Sequence, residues 1–357
     1  MTTYFSTFVS GLQEVVKSAL VRQLSDVEIK SLFDGLIVYQ SDQPIQKIKS
    51  ARFFNNTFLL LHLFSLNKKE APEKPIEYMM NAVLKNPAFI PGVPRWAMKG
   101  ASSFRIIASK ENQTESVESN LLIKLERFFS YRLKLKTNRS KPDVEVWFIS
   151  RSEGIFLIGV RLTRTSSYEK TLQKGELKPE LANILCFISE PGKEDVFLDP
   201  FAGSGAIPIE RAKAFPFKQV IASEVDKNAF EKLQKKVLES KLNITLGKWD
   251  ALDLASIPDS SVSKIVTDPP WGIFSQPGFD LEVFYTRMLK EFIRILQKDG
   301  ILTIVMGQKE LFEGILKPLS ELILAEKYDI LVSGKKAAIY KLKYKKIKNN
   351  PKPDGQC

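Results

Sequence analysis

The chain of 357 residues is poor in sulfur and imidazole: it has two cysteines, Cys186 and Cys357, and one histidine, His62. Two cysteines so far apart exclude a disulfide framework and a cysteine zinc site, and they fit a reducing, cytoplasmic interior. His62 lies in Phe58-Leu59-Leu60-Leu61-His62-Leu63-Phe64, which reads as a buried strand. That argues for a structural histidine and against serine–histidine or histidine–metal chemistry, so no metal is expected. No apolar run approaches the roughly eighteen residues a membrane span needs. Met1-Thr2-Thr3-Tyr4-Phe5 lacks the basic start and long apolar core of a secretory signal. No Gly-Lys-Ser/Thr follows a glycine-rich turn, which excludes an ATPase-type phosphate loop. What remains is ordinary for a soluble globular chain, 44% hydrophobic and 26% charged, and long enough for two or three domains.

The most informative stretch is Asp268-Pro269-Pro270-Trp271-Gly272. Lys264-Ile265-Val266-Thr267 before it is short and β-branched, as a buried strand would be. The motif therefore sits at a strand's carboxyl end, where open α/β sheets hold their ligands. Prolines fix φ and remove donors, leaving carbonyls held in place to accept. An exocyclic amine on a flat base could donate to the Asp268 carboxylate and the Pro269 carbonyl, with Trp271 stacked on the ring. Asp268, Pro269, Pro270 and Trp271 are thus the candidate catalytic residues; the alternative is a surface turn around a buried tryptophan.

Upstream, Val196-Phe197-Leu198 reads as a strand, followed by Asp199-Pro200-Phe201-Ala202-Gly203-Ser204-Gly205-Ala206 and a helical pattern from Ile207. Strand, glycine-rich turn and helix form a nucleotide-binding arrangement. Gly203 and Gly205 permit close backbone approach, and the helix start offers N–H groups. Gln219-Val220-Ile221-Ala222-Ser223 reads as the next strand and ends at Glu224, placed for a ribose. Ile244-Thr245-Leu246 precedes Asp250, which could accept from an adenine amine. Singly, either acid reads as a solvated loop residue; their order, each just past a strand, makes them ligand candidates.

These motifs together resemble a class I S-adenosylmethionine-dependent methyltransferase over residues 175–345. Gly175 to Ala182 resembles the segment ahead of the first strand in RNA enzymes of this type. Asp199, Pro200, Phe201, Ala202, Gly203, Ser204 and Gly205 match the methionine-binding loop, Glu224 the ribose acid, Asp250 the adenine acid, and Asp268 to Trp271 the amino-methylating motif, in which Asp268 also borders the cofactor. Ala202 stands where Cys or Gly is frequent, and Glu224 where Asp is. The resemblance implies S-adenosyl-L-methionine as cofactor, and the order of the motifs matches RNA guanine-N2 methyltransferases and some DNA amino-methylases too.

Charge is unevenly divided. Residues 1–170 carry 25 Lys and Arg against 16 Asp and Glu, residues 171–334 carry 20 against 24, and residues 335–357 carry 8 against 1. Basic flanks around a slightly acidic centre suit a polyanion presented to a pocket for a cationic sulfonium; scattered solubilising lysines are the alternative. Tyr4–Phe8 reads as a strand, Leu12, Val15, Val16, Ala19 and Leu20 as a helical face, and 36–39 and 58–64 as strands. Asn67–Pro75 reads as a connector. Ser103–Ile107, a helical stripe from Leu121 to Leu133, and strands 144–149 and 154–160 follow.

This half resembles a ferredoxin-like domain followed by a THUMP domain, an RNA-binding module that in its family grips the acceptor end of tRNA. The resemblance rests on Ser103-Phe104-Arg105, Lys141-Pro142-Asp143 and Ile158 to Thr163. The expected fold is therefore an α/β Rossmann-like methyltransferase domain preceded by an α+β RNA-binding region. Its parts are a ferredoxin-like domain (1–66), a THUMP domain (67–166), a methyltransferase domain (167–345) and a basic tail (346–357). Arg132, Lys134, Lys136, Arg139 and Lys141 leave the helical pattern and are the candidate RNA contacts, whereas Lys124 and Arg127 read as the solvated back of a helix. Lys336–Tyr344 alternates, as a last antiparallel strand with one wet face would. Ile273–Phe279 is expected to be a lid that orders on a flipped base. The expected activity is methylation of a guanosine N2 amine in tRNA, in or near the acceptor stem, by a monomer. Ribosomal RNA, a DNA amino-methylase and an inactive RNA-binding scaffold remain as alternatives.

Overall fold

The computed structural model describes residues 1–66, 72–163, 176–272, 280–332 and 334–344. Calls on Gly175, the 273–279 loop, the tail beyond 344 and residues 67–71 of the connector lie outside these. The chain divides into two compact units, Met1–Phe8 with Leu20–Glu169 and Val9–Ala19 with Lys170–Cys357. The division falls inside α1 (Gln13–Gln23), whose Val15, Val16, Ala19 and Leu20 are buried at the expected helical spacing.

In the first unit, runs of apolar and β-branched residues make the strands β1 (Thr2–Thr7), β3 (Leu36–Ser41), β4 (Asn56–Ser65), β5 (Ser103–Lys110), β8 (Val144–Ser150) and β9 (Ile155–Arg161). β2 (Glu28–Phe33) is an edge strand that periodicity did not reveal, because Glu28, Lys30 and Ser31 leave it without an apolar stripe. With the short β6 (Gln113–Thr114) and β7 (Lys136–Thr137), one sheet runs in the order β2-β3-β1-β4-β9-β8-β5-β6, and β7 pairs with β5. β4 and β9 pair antiparallel from Phe58↔Arg161 to Ser65↔Ile155, so strands before and after residue 67 share one sheet. The short α2 (Ile45–Lys49) precedes β4, while α3 (Pro75–Lys85) and α4 (Ser119–Leu133) pack on β5 and on each other. Asp143 fastens the start of β8 to that of β5. Its Oδ2 accepts from Ser102 N and Oγ at 2.9 Å, Ser103 N at 3.0 Å and Ser103 Oγ at 2.9 Å. The Ser102 amide and the two hydroxyls draw its carboxyl down to about 2. His62 is half-buried, with its ring 4.3 Å from Phe64 and 4.6 Å from Phe89, and burial lowers its pKa.

The second unit alternates helix and strand: α5 (Pro179–Ile188), β10 (Val196–Asp199), α6 (Ala206–Ala214), β11 (Gln219–Ser223), α7 (Lys227–Ser240), β12 (Thr245–Gly247), β13 (Val262–Thr267), α8 (Leu281–Ile295), β14 (Leu296–Met306), α9 (Lys309–Leu316), β15 (Leu322–Val332) and β16 (Lys335–Tyr344). The strand order is β12-β11-β10-β13-β14-β16-β15. β10 through β14 are parallel, and β16 runs antiparallel to both its neighbours. The order reverses between β10 and β13, so the crevice of this Rossmann-like sheet opens where Asp199 and Thr267 end their strands. Behind it Leu198, Ile265, Leu302 and Ile304 pack against Tyr285, Met288, Leu289 and Phe292 of α8. Cys186 is fully buried in α5, as an inert core thiol would be.

β16 differs from the expected strand with one wet face. It is inserted between β14 and β15, and Ala337 to Leu342 are all buried. Its Lys341, 5% exposed at the side chain, is held by Glu190 at 2.6 Å and Glu326 at 2.7 Å. An alternating pattern thus arises here from a lysine compensated inside the sheet.

Candidate active site

The turn after β10 is built by two glycines at positive φ. Gly205 (φ +91°) caps α6, and a Cβ there would stand 2.7 Å from Leu233 Cδ1 of α7. Gly203 (φ +50°) faces open space. Glu224, at the end of β11, braces the turn: its Oε2 accepts from Gly203 N at 2.9 Å and its Oε1 from Asp226 N at 2.9 Å. A cleft of about 370 Å³ opens beside the turn, lined among others by Asp199, Phe201, Gly203, Ser204, Lys232 and Asp268.

Asp199 is 1% exposed. Its Oδ1 accepts from Thr267 Oγ1 at 2.7 Å and from Phe201 N at 3.2 Å. Its Oδ2 is buried and has no hydrogen-bond partner among the described residues. Burial pushes the carboxyl up to about 8, with Asp268 and Glu224 adding repulsion and the Thr267 and Phe201 donors opposing. Asp268 follows β13 on the same cleft wall. Its Oδ1 accepts from the Trp271 indole Nε1–H at 3.0 Å. Burial pushes Asp268 up to about 7 against the pull of that bond. The Tyr285 hydroxyl of α8 donates to the Pro270 carbonyl at 2.8 Å, tying the diproline to the core. The crevice therefore holds two carboxyls that release their protons well above the usual carboxylate range, Asp199 at about 8 and Asp268 at about 7.

Residues 167–321 match the RMKL-like methyltransferase domain family, UPF0020. Over 231 residues the chain is 29% identical to a tRNA (guanine(6)-N2)-methyltransferase of Thermus thermophilus, covering 62% of this chain and 67% of that protein. It is 31% identical over 137 residues to a protein of Methanothermococcus thermolithotrophicus named probable tRNA (guanine(10)-N2)-dimethyltransferase, covering 36% of this chain and 81% of that one. The chain belongs to the THUMP-containing, S-adenosylmethionine-dependent RNA guanine-N2 methyltransferase family. Its fold agrees: the crystal structure of TrmN from Thermus thermophilus superposes with a TM-score of 0.75 at 21% identity, covering 97% of this chain and 100% of that one.

The cleft of this methyltransferase fits its cofactor. A buried acceptor without a partner is costly, so Asp199 Oδ2 is suited to the donor groups of a cationic amino acid. The open space over Gly203 and the first N–H groups of α6, at Ala206 and Ile207 on the cleft wall, suit a ligand lying close to the main chain. Asp199, Phe201, Ala202, Gly203, Ser204 and Asp268 are brought together there. Pro200 accepts from Ser223 Oγ at 3.4 Å, behind the turn. Glu224 and Asp250 are not on the cleft lining; Asp250 is exposed and accepts from Leu252 N at 2.9 Å in a local turn. Sequence reasoning missed Asp226, Asn228 and Lys232, which line the cleft from the start of α7. Their signal was positional, since they directly follow the acid that ends the second strand.

In the first unit the five candidate RNA contacts divide. Arg139 forks onto buried Glu126, with Nε and Nη2 at 2.7 and 2.8 Å from its two oxygens. Arg132 donates to the Pro87 carbonyl at 3.1 Å and to that of Ile90. Arg132 ties the last turn of α4 to the 87–90 segment, and Arg139 ties the stretch after β7 to the middle of α4. Lys134, Lys136 and Lys141 are exposed, as are Lys124 and Arg127. Tyr131 on the same helix is 87% exposed.

Proposed function

We propose that this enzyme methylates the exocyclic N2 amine of a guanosine in tRNA, in or near the acceptor stem. One observation carries the reading: an Asp-Pro-Pro-Trp turn at the sheet's switch point, with Asp268 on the same cleft as the unpartnered oxygen of Asp199. The tRNA guanine-N2 activity named for both relatives supports the substrate class.

A guanine amine is a weak nucleophile, because its lone pair is delocalised into the ring. Asp268 and the Pro269 carbonyl accept its two hydrogens, which draws density to nitrogen and aims the lone pair into the cleft. S-adenosylmethionine, when bound, supplies an electrophilic methyl group. Asp199 holds the donor groups of that ligand, and the Gly203–Gly205 turn cradles it. Once nitrogen carries the methyl group and a positive charge, Asp268, poised near neutrality, takes the surplus proton and passes it to water. The exposed lysines at the end of α4 contact phosphates, and Tyr131 offers a stacking face for an unpaired base. Division of the chain at residues 66, 166 and 345 into ferredoxin-like, THUMP, catalytic and tail segments belongs to the same proposal.

The test is incubation of unmodified tRNA with labelled S-adenosylmethionine, followed by nucleoside mass spectrometry. An N2-methylguanosine peak is expected. A blank from protein that still binds the cofactor would overturn the tRNA assignment.

A further inference from the structure

An aromatic after Asp-Pro-Pro is expected to stack on the target base, a role that phenylalanine or tyrosine would fill equally well. Trp271 has a second attachment that neither could supply. We propose that Trp271 is a positioning residue acting through its indole N–H: by occupying Asp268 Oδ1 it turns Oδ2 to the substrate amine and keeps the carboxylate in its accepting form. The proposal rests on the amine-methylating reading and adds the device that orients its central group.

The geometry is over-determined. The Nε1–H to Oδ1 bond of 3.0 Å spans two prolines whose φ angles are fixed by their rings. The indole rests on the main chain at the end of β14: a Cβ on Gly307 would stand 2.7 Å from Trp271 Cδ2 and closer still to Cε3. Gln308 Nε2 donates to the Trp271 carbonyl at 3.3 Å. Gly272, at φ +76°, turns the chain where any side chain would overlap Leu281 of α8. Tyr285 holds the Pro270 carbonyl from the same helix. The ring therefore rests against the end of β14, the main chain on either side of it is held by α8, and its one donor points at the acid.

The electrostatics make that donor matter. Asp268 shares its surroundings with Asp199 from β10 and Tyr285 from α8, while Glu176, Asp226 and Lys232 complete the charged wall of the cleft. Burial favours the protonated form, which would donate where the reaction needs an acceptor. The indole N–H opposes it by stabilising the charged form.

The experiment compares wild type, Trp271→Phe and Asp268→Asn. In the ¹⁵N-labelled protein without tRNA, one of four indole N–H resonances should be absent from W271F, titrate near pH 7 in wild type, and stop titrating in D268N. With cofactor and tRNA saturating, W271F should lose turnover roughly sevenfold more at pH 6.5 than at pH 9, as an acid limb moved up by about one unit from about 7 requires. Cofactor affinity should stay within about twofold, which reports an intact fold. An indole signal that ignores pH, or an equal loss at both pH values, would overturn the proposal and leave stacking as the role of Trp271. If no RNA is methylated at all, the indole titration still reads the bond, so the two failures are separable.

Discussion

The cleft of the second unit and the cationic surface of the first are built on opposite plans. In the cleft Asp199 and Asp268 are each held by a named donor, and Asp199 keeps one buried oxygen unmet. Around the end of α4 the cations are exposed and repeated, and the two that are held, Arg132 and Arg139, are held by the protein itself. A site of the first kind fails when one atom changes. A surface of the second kind loses affinity by degrees, because each phosphate contact contributes a similar, salt-screened share.

The sharpest way to break this contrast is Asp268→Ala. Turnover should fall by roughly 10³-fold or more, the scale of losing a positioned charge and a general base together, while cofactor affinity by calorimetry changes little. Equal loss of cofactor binding would show that Asp268 serves the wrong ligand. Next is Asp199→Asn, which keeps the acceptor for Thr267 and Phe201 but converts the unpartnered oxygen to an amide. Cofactor Kd should rise by roughly 10- to 100-fold, as for a lost hydrogen bond between charged groups.

The same pair makes a pH prediction. Asp199 near 8 and Asp268 near 7 keep protons that the unfolded chain has released above about 4. That contribution to stability is complete below about pH 4 and is lost as pH rises through 7 to 8. The ligand-free Tm should therefore fall from pH 6 to pH 9, less steeply in Asp199→Asn, and the gain from adding the cationic cofactor should be larger at pH 9. A ligand-free Tm that rises over this range would contradict the assignment. The smallest effect belongs to the surface. Replacing Lys134, Lys136 and Lys141 together by alanine should raise KM for tRNA about tenfold, lower the salt slope by about three, and spare kcat. A fall in kcat alone would place these lysines in the chemistry.

Most of the cleft was legible in the sequence because its parts are local. Val196 to Gly205 and Lys264 to Trp271 each carry a strand, a turn and the chemistry within about ten residues, and the structure sets both on one crevice. What was not legible is long-range. Nothing near Glu224 announces that it binds the backbone of Gly203, and nothing near Arg139 points to Glu126 in the preceding helix. Lys341 follows an alternation that reads as a wet strand, yet the sheet order buries it between two glutamates. β2 escaped notice because an edge strand needs no apolar face. The indole bond to Asp268 spans only three residues, but stacking was the more familiar use of an aromatic there.

The most direct measurement of the central claim uses inosine, which differs from guanosine only in lacking the N2 amine. Wild-type enzyme would be given labelled S-adenosylmethionine and either unmodified tRNA or the same tRNA with its acceptor-stem guanosines replaced by inosine. The account predicts methyl incorporation into the first and none into the second. Equal incorporation into both would contradict it.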